Sequence, residues 1–233
     1  MFFFKRKPLI ITSYISEEDS AILQYSPVIP SQKLIPEWWK QVGPGKFNWD
    51  NMRPELNVKS CVGIINTIRE GLILPLWSEI AIKTDESGWK YTYADYKSQA
   101  SVHQSKQAPG FFSDYYAFKL HSPWIIKCSE DNVKLSYSHP FYHFTSPTPY
   151  FTPPGIVSPV KKVYNTNIFL YLKKTENELI IELNTPLLQI IPLTNRTIQY
   201  KTEVLTSSEY IKLCQIIGYK NVFISKGIKR KLF

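Results

Sequence analysis

The chain has 233 residues and a formal net charge of +9, with 43% apolar and 15% aromatic residues. That length suits one domain with decorations, and that apolar share supplies a sizeable core. Its 17 prolines argue against a helical bundle, three cysteines without a CxxC pair argue against a disulfide framework, and no run approaches the ~20 apolar residues of a membrane-spanning helix.

Met1-Phe2-Phe3-Phe4 is too short an apolar run for a secretory leader, and charge follows it at Lys5-Arg6-Lys7. Leu9–Thr12 reads as a strand, and Glu17-Glu18-Asp19 as a solvated turn. Residues 27–56 hold five prolines and three tryptophans (Trp38, Trp39, Trp49) and read as an arm wrapped on the body, with the tryptophans as anchors. Within it, Ile35-Pro36-Glu37-Trp38-Trp39-Lys40 predicts one short helix, with Pro early and Glu at the positive end. From Cys61 onward short apolar or alternating runs predict strands at Cys61–Ile68, Leu72–Trp77, Glu79–Lys83 and Gly88–Tyr93, with Glu70-Gly71 as a turn. Residues 94–115 are polar and read as a long loop. Tyr116–Leu120, Pro123–Lys127 and Val133–Ser138 read as further strands, and residues 144–160, with five prolines, as an extended loop.

Asn167–Lys173, Glu178–Leu183, Leu187–Leu193 and Thr197–Leu205 predict the last strands, with Asn184-Thr185-Pro186 as a turn. Ser207–Ile217 predicts the one convincing helix. Thr206-Ser207-Ser208-Glu209 supplies a capping box and Gly218 a C-terminal stop. The expected fold is mainly β, a sandwich or a β-clip-like barrel. It divides into an N-terminal arm (1–56), a β domain (57–205) and a C-terminal helix with a basic tail (206–233).

Charge is partitioned along the chain. Lys5, Arg6 and Lys7 at one end, with Lys212, Lys220, Lys226, Lys229, Arg230 and Lys231 at the other, account for the whole net charge, because residues 8–209 hold 19 basic and 19 acidic residues. A neutral body with basic ends predicts that Lys5, Arg6, Lys7, Lys226, Lys229, Arg230 and Lys231 contact an acidic partner or nucleic acid in a salt-sensitive way. The plainer alternative is solvated termini.

Candidate chemistry is sparse. His139 and His143 stand four apart and could ligate a metal if His121 or Cys128 folded back to complete the set; the alternative is a polar cap in an aromatic turn. Neither a Gly-rich phosphate loop nor a GxSxG elbow occurs, and nothing calls for a cofactor. Trp38, Trp39, Tyr91, Tyr93, Phe111, Phe112, Tyr115 and Tyr116 could stack on bases or sugars, or else build the core.

Two resemblances bear on these residues. Ile35-Pro36-Glu37-Trp38-Trp39-Lys40, Lys59-Ser60-Cys61-Val62, Ser122-Pro123-Trp124-Ile125-Ile126-Lys127, Ser138-His139-Pro140 and Thr185-Pro186-Leu187-Leu188-Gln189-Ile190-Ile191-Pro192 resemble an uncharacterised family of tailed phages of marine bacteria, over roughly residues 35–195. That implies a viral context, in the virion or the host cytoplasm, and no particular activity. Gly71–Ile82, Ser129–Pro140 and Pro154-Gly155-Ile156-Val157-Ser158 leading to Thr185–Ile191 resemble the motif order of dUTPase-like β-clip proteins. That resemblance implies a nucleotide site drawing on Ser138, His139, Gly155, Ser158 and Gln189. Ser158 stands where the family carries its water-activating Asp, Ser138-His139-Pro140 replaces the phosphate-gripping motif, and the Gly-rich closing arm is missing. A hydroxyl is a poor general base without a proton acceptor, so hydrolysis is not expected.

The sequence therefore predicts a non-enzymatic viral protein, structural or assembly-related, with basic termini on an acidic partner or nucleic acid. Its alternative is a catalytically inactive dUTPase-like nucleotide binder or sensor. The Pro-rich arm suits subunit exchange, so a homo-oligomer is expected, a trimer being one candidate, with viral structural proteins as further partners and no membrane.

Overall fold

The computed structural model describes residues 7–103, 112–130, 132–158 and 165–214. In chain order the elements are β1 (Leu9–Ser16), β2 (Ile29–Pro30), α1 (Glu37–Gln41), β3 (Lys46–Asn48), β4 (Arg53–Glu55), α2 (Val62–Arg69), β5 (Leu72–Pro75), β6 (Ile80–Thr84), β7 (Trp89–Tyr93), β8 (Ala100–His103), β9 (Tyr115–Leu120), β10 (Ile125–Cys128), β11 (Leu135–Ser138), β12 (Tyr150–Phe151), β13 (Gly155–Val157), β14 (Ile168–Lys173), β15 (Asn177–Ile181), β16 (Pro186–Pro192) and β17 (Ile198–Leu205), with α3 over 207–214. The fold is mainly β and sandwich-like. Among the described residues no barrel closes, which decides between the two architectures the sequence allowed.

The strands order as β10-β1-β17, β13-β11-β16-β5-β2, β12-β14-β9-β8 and β15-β6-β7, with β3-β4 as a separate hairpin. Period-two burial explains the plainest strands. In β6, Ile80, Ile82 and Thr84 point inward while Ala81 and Lys83 face water, and in β14 Ile168, Leu170 and Leu172 do the same against Phe169 and Tyr171. One continuous core runs under the four larger sheets, with Trp124, Phe118, Leu9, Ile11 and Ile15 fully enclosed in it.

β1 departs from the expected arm. It is the middle strand of its sheet, antiparallel to β10 and parallel to β17, in register from Leu9↔Ile198 to Ser16↔Leu205. Six of its eight residues are buried, so it belongs to the core rather than to a segment laid on the surface. Trp38 does anchor, donating its Nε1–H to the Tyr142 carbonyl at 2.9 Å, whereas Trp49 is 75% exposed.

The Cys61–Ile68 run, expected as a strand, is the helix α2. Its β-branched residues favour a strand, but Ile64, Ile65 and Ile68 also fall at helical spacing, and a short apolar run cannot separate the two by period alone. The helix is held from outside. The buried Gln189 amide on β16 donates to the Thr67 and Glu70 carbonyls, which no turn of the helix itself satisfies at that end. Residues 94–115 and 144–160 are likewise not all loop, since β8, β12 and β13 lie within them.

Other local expectations hold. Thr206 and Glu209 form the capping box at the start of α3: the Thr206 N–H donates to Glu209 Oε2 at 3.0 Å and the Glu209 N–H to Thr206 Oγ1 at 3.4 Å. Asn184 takes a left-handed φ of 67° in the expected turn. Gly71 sits at φ +87°, where a Cβ would come within 2.1 Å of the Ile190 carbonyl oxygen, so only glycine lets β5 begin beside β16. The expected stop at Gly218 lies outside the described residues.

Candidate functional site

The expected nucleotide set does not converge. Ser138 stands opposite Gln189 in the β11–β16 ladder, so the two share a face. Gly155 stands opposite Tyr137, one position along β11, which puts it on the other face. Gln189 is 1% exposed and spends its amide on Thr67 and Glu70 carbonyls, approaching Ser31 Oγ at 3.4 Å, so it joins elements rather than facing a ligand. Gly155 is exposed with a negative φ and open space where a Cβ would sit, so nothing there requires glycine. Ser158 is half-buried at the edge of the described residues.

In the histidine pair the ring nitrogens face protein groups. His143 Nδ1–H donates to the Leu34 carbonyl at 3.0 Å and its Nε2 faces Ser31 Oγ at 3.2 Å. His139 Nε2–H faces Thr148 Oγ1 at 3.2 Å, because that hydroxyl spends its own hydrogen on the Tyr150 carbonyl; its Nδ1 then accepts from the Thr152 N–H at 3.4 Å. Both rings are thus oriented by protein groups. His121, the suggested third ligand, faces Ser101 Oγ at 3.0 Å, and Cys128 is buried. Among the described residues no group of three or more His, Cys, Asp and Glu side chains could hold a metal ion. Burial lowers His143 and pushes His139 down to about 4.

The aromatic residues divide. Tyr93 is buried in the core, with Tyr91 and Tyr116 packed against it. Phe112, Tyr115, Phe151 and Tyr171 form a ladder of ring contacts at 4.6–6.4 Å between centroids. Phe111 lies outside the described residues.

Clefts open among the described residues of the body. One, of about 510 Å³, is walled by Trp38, His139, Phe141, Phe144, Tyr150 and Phe151, with no Lys, Arg, Asp or Glu among its described lining residues. His139 stacks on Phe144 there, with ring centroids 5.2 Å apart. A second, of about 420 Å³, lies between Tyr137, Gly155, Val157, Phe169 and Leu188. Burial holds the Tyr137 hydroxyl up at about 12, so it stays a neutral donor.

A third, of about 740 Å³, is lined among the described residues by four carboxylates (Glu18, Asp19, Glu79 and Asp95) and the Lys97 ammonium, with Trp77, Tyr25, Tyr96 and Tyr210 around them. Sequence reasoning read Glu17–Asp19 as a solvated turn and missed this site, because the carboxylates come from three distant segments. Asp95 is occupied: it accepts from the Lys97 and Ser98 N–H groups at 2.7 and 2.6 Å. Glu18 accepts from the Ser207 hydroxyl at 2.7 Å. Burial raises the Asp19 carboxyl, against the pull of Lys97 and with Glu18 and Asp95 adding to the rise.

The β3–β4 hairpin projects a different chemistry. Phe47 and Trp49 meet edge to face at 4.8 Å, yet Phe47 is 44% exposed and Trp49 75%, and Met52 and Leu56, close to them in sequence, are 67% and 73% exposed.

Comparison of the chain with protein-family models, with curated proteins and with solved structures finds no match. Of the basic residues expected to meet a partner, Lys7 is exposed, and its backbone carbonyl is gripped by Arg196. Lys5, Arg6, Lys226, Lys229, Arg230 and Lys231 lie outside the described residues.

Proposed function

We propose that the chain is a non-enzymatic interaction protein, structural or assembly-related, that associates with further copies of itself. The observation that carries this reading is the β3–β4 hairpin. It exposes Phe47 and Trp49 in contact with each other, with Met52 in its turn and Leu56 just after it also exposed, and apolar exposure of this kind marks a surface that is covered in a complex. A two-stranded hairpin is marginal alone, so covering its apolar side would stabilise the element as well as the complex. The viral context rests on the sequence resemblance over roughly residues 35–195, and the basic termini remain the proposed contacts with an acidic partner or nucleic acid.

The nucleotide-binding alternative draws on Ser138, His139, Gly155, Ser158 and Gln189. It has less support, because two opposite sheet faces and a spent amide give a nucleotide no common surface.

Light scattering coupled to size exclusion tests the assembly reading. The full chain is expected to elute as a closed oligomer at tens of micromolar, and Trp49→Ala with Met52→Ala to shift it to the 27.1 kDa monomer without loss of far-UV signal. A wild-type monomer at the highest soluble concentration refutes it.

A further inference from the structure

β17 stands at the end of its sheet. Among the described residues it pairs only with β1, in unbroken register from Leu9↔Ile198 to Ser16↔Leu205, and no described strand lies on its other side. At eight residues it is the longest open edge among them, since β10 on the far side of its own sheet and the outer strands of the other large sheets run from two to five residues. Edges of that length pair with other chains unless they are bent, charged or broken by proline. β17 reads Ile-Gln-Tyr-Lys-Thr-Glu-Val-Leu, without proline, glycine or bulge. The helix that follows leaves the edge open, because Tyr210, Leu213 and Cys214 of α3 turn back against Tyr14 of β1 and Ile125 of β10.

The pairing with β1 fixes where the backbone groups of β17 point. The Leu9 N–H donates to the Thr197 carbonyl at 2.9 Å and Ser13 Oγ to the Lys201 carbonyl at 3.2 Å, so the odd-numbered residues face β1. Bonding residues alternate in a parallel ladder, so Ile198, Tyr200, Thr202 and Val204 direct their N–H and C=O groups outward. Thr202 and Val204 are exposed. Lys201 and Glu203 share one face of the strand, both exposed, and among the described residues neither forms an ion pair.

Such a strand is complementary to itself. Laid antiparallel to a second copy about a twofold axis at Thr202, it sets Thr202 opposite Thr202 and Tyr200 opposite the second copy's Val204, all residues whose backbone groups are directed outward. The same register sets Lys201 opposite the second copy's Glu203, and by symmetry Glu203 opposite its Lys201. An axis at Lys201 or at Glu203 would set like charges face to face, and an axis at Tyr200 or Val204 would leave the charges without opposites.

We propose that β17 pairs with β17 of a second copy across a twofold axis at Thr202, joining two three-stranded sheets into one continuous sheet, with reciprocal Lys201–Glu203 pairs selecting the register. The proposal rests on the reading of the chain as self-associating and adds a second surface to it. One pair of strands buries less than the ~1,200 Å² of a standard interface, so the hairpin contact holds the copies together and the β17 pair sets their geometry.

Charge reversal, read by light scattering over a dilution series, tests this. Lys201→Glu and Glu203→Lys should each raise the dissociation midpoint roughly tenfold or more. Combining them restores opposite charges across the axis and should return the midpoint to within about threefold of the wild type. Both side chains are exposed, so the variants keep the fold. Hydrogen exchange adds residue detail: the Tyr200, Thr202 and Val204 amides should exchange roughly tenfold more slowly in the oligomer than in the dissociated chain. The Lys201 and Glu203 amides, bonded to β1, should be equally slow in both. An oligomer that forms but is indifferent to both single reversals overturns the β17 pairing and leaves the hairpin reading standing. A wild type monomeric at every concentration overturns the hairpin reading and this one with it. A slow Thr202 amide in the dissociated chain assigns the edge to a segment of the same molecule and overturns the pairing alone.

Discussion

His139 shows how one side chain is fixed by the order of its donors and acceptors. Thr148 has given its hydrogen to the Tyr150 carbonyl, so the ring must donate from Nε2 and keep Nδ1 bare for the Thr152 N–H. A second proton on Nδ1 would face that N–H directly. Burial works in the same direction and lowers the group from 6.5 to about 4. The folded protein therefore favours neutral His139, and its contribution to stability is complete above pH 6.5 and is lost as the pH falls toward 4. The melting temperature of the wild type should decline across that window more steeply than that of His139→Gln. Equal slopes would mean that His139 is not the titrating group. The spacing of His139 and His143 was legible in the sequence as a possible metal pair. It could not reveal that Ser31, Leu34, Thr148 and Thr152, from other segments, already meet the ring nitrogens.

At the scale of elements, α2 and β16 depend on each other through Gln189. The helix has one buried residue, Ile68, and apolar packing alone would hold it weakly. Its terminal carbonyls are instead met by an amide from a strand more than a hundred residues later. Replacing Gln189 by Leu keeps the volume and leaves two buried acceptors unmet, which should cost about 2–3 kcal/mol in urea unfolding. A loss below about 0.5 kcal/mol would mean that water or another donor substitutes. The capping box of α3 was readable beforehand because its partners lie within three residues, and the Asn184 turn because the Thr185 N–H closes it on the nearby Glu182 carbonyl. The α2 helix was not, because what selects helix over strand there is a distant side chain.

For the molecule as a whole, the parallel pairing of β1 with β17 closes the fold. The first and last strands lie in register over eight residues, and β1 brings Leu9, Ile11 and Ile15 into the core shared by the larger sheets. One continuous core predicts one cooperative transition. Ile11→Ala should lower stability by about 3 kcal/mol and move the near-UV and far-UV transitions together. Separate transitions would mean that the β10-β1-β17 sheet unfolds by itself. The sequence by itself determined the β class, most strand positions, the local turns and caps, and the partition of charge between body and ends, because each of these follows from alternation or from partners a few residues apart. Only the tertiary structure decided that β1 is a central strand, that α2 is a helix, and that four carboxylates share one cleft. Those outcomes rest on contacts between segments tens to hundreds of residues apart, and no local pattern encodes which segments will meet.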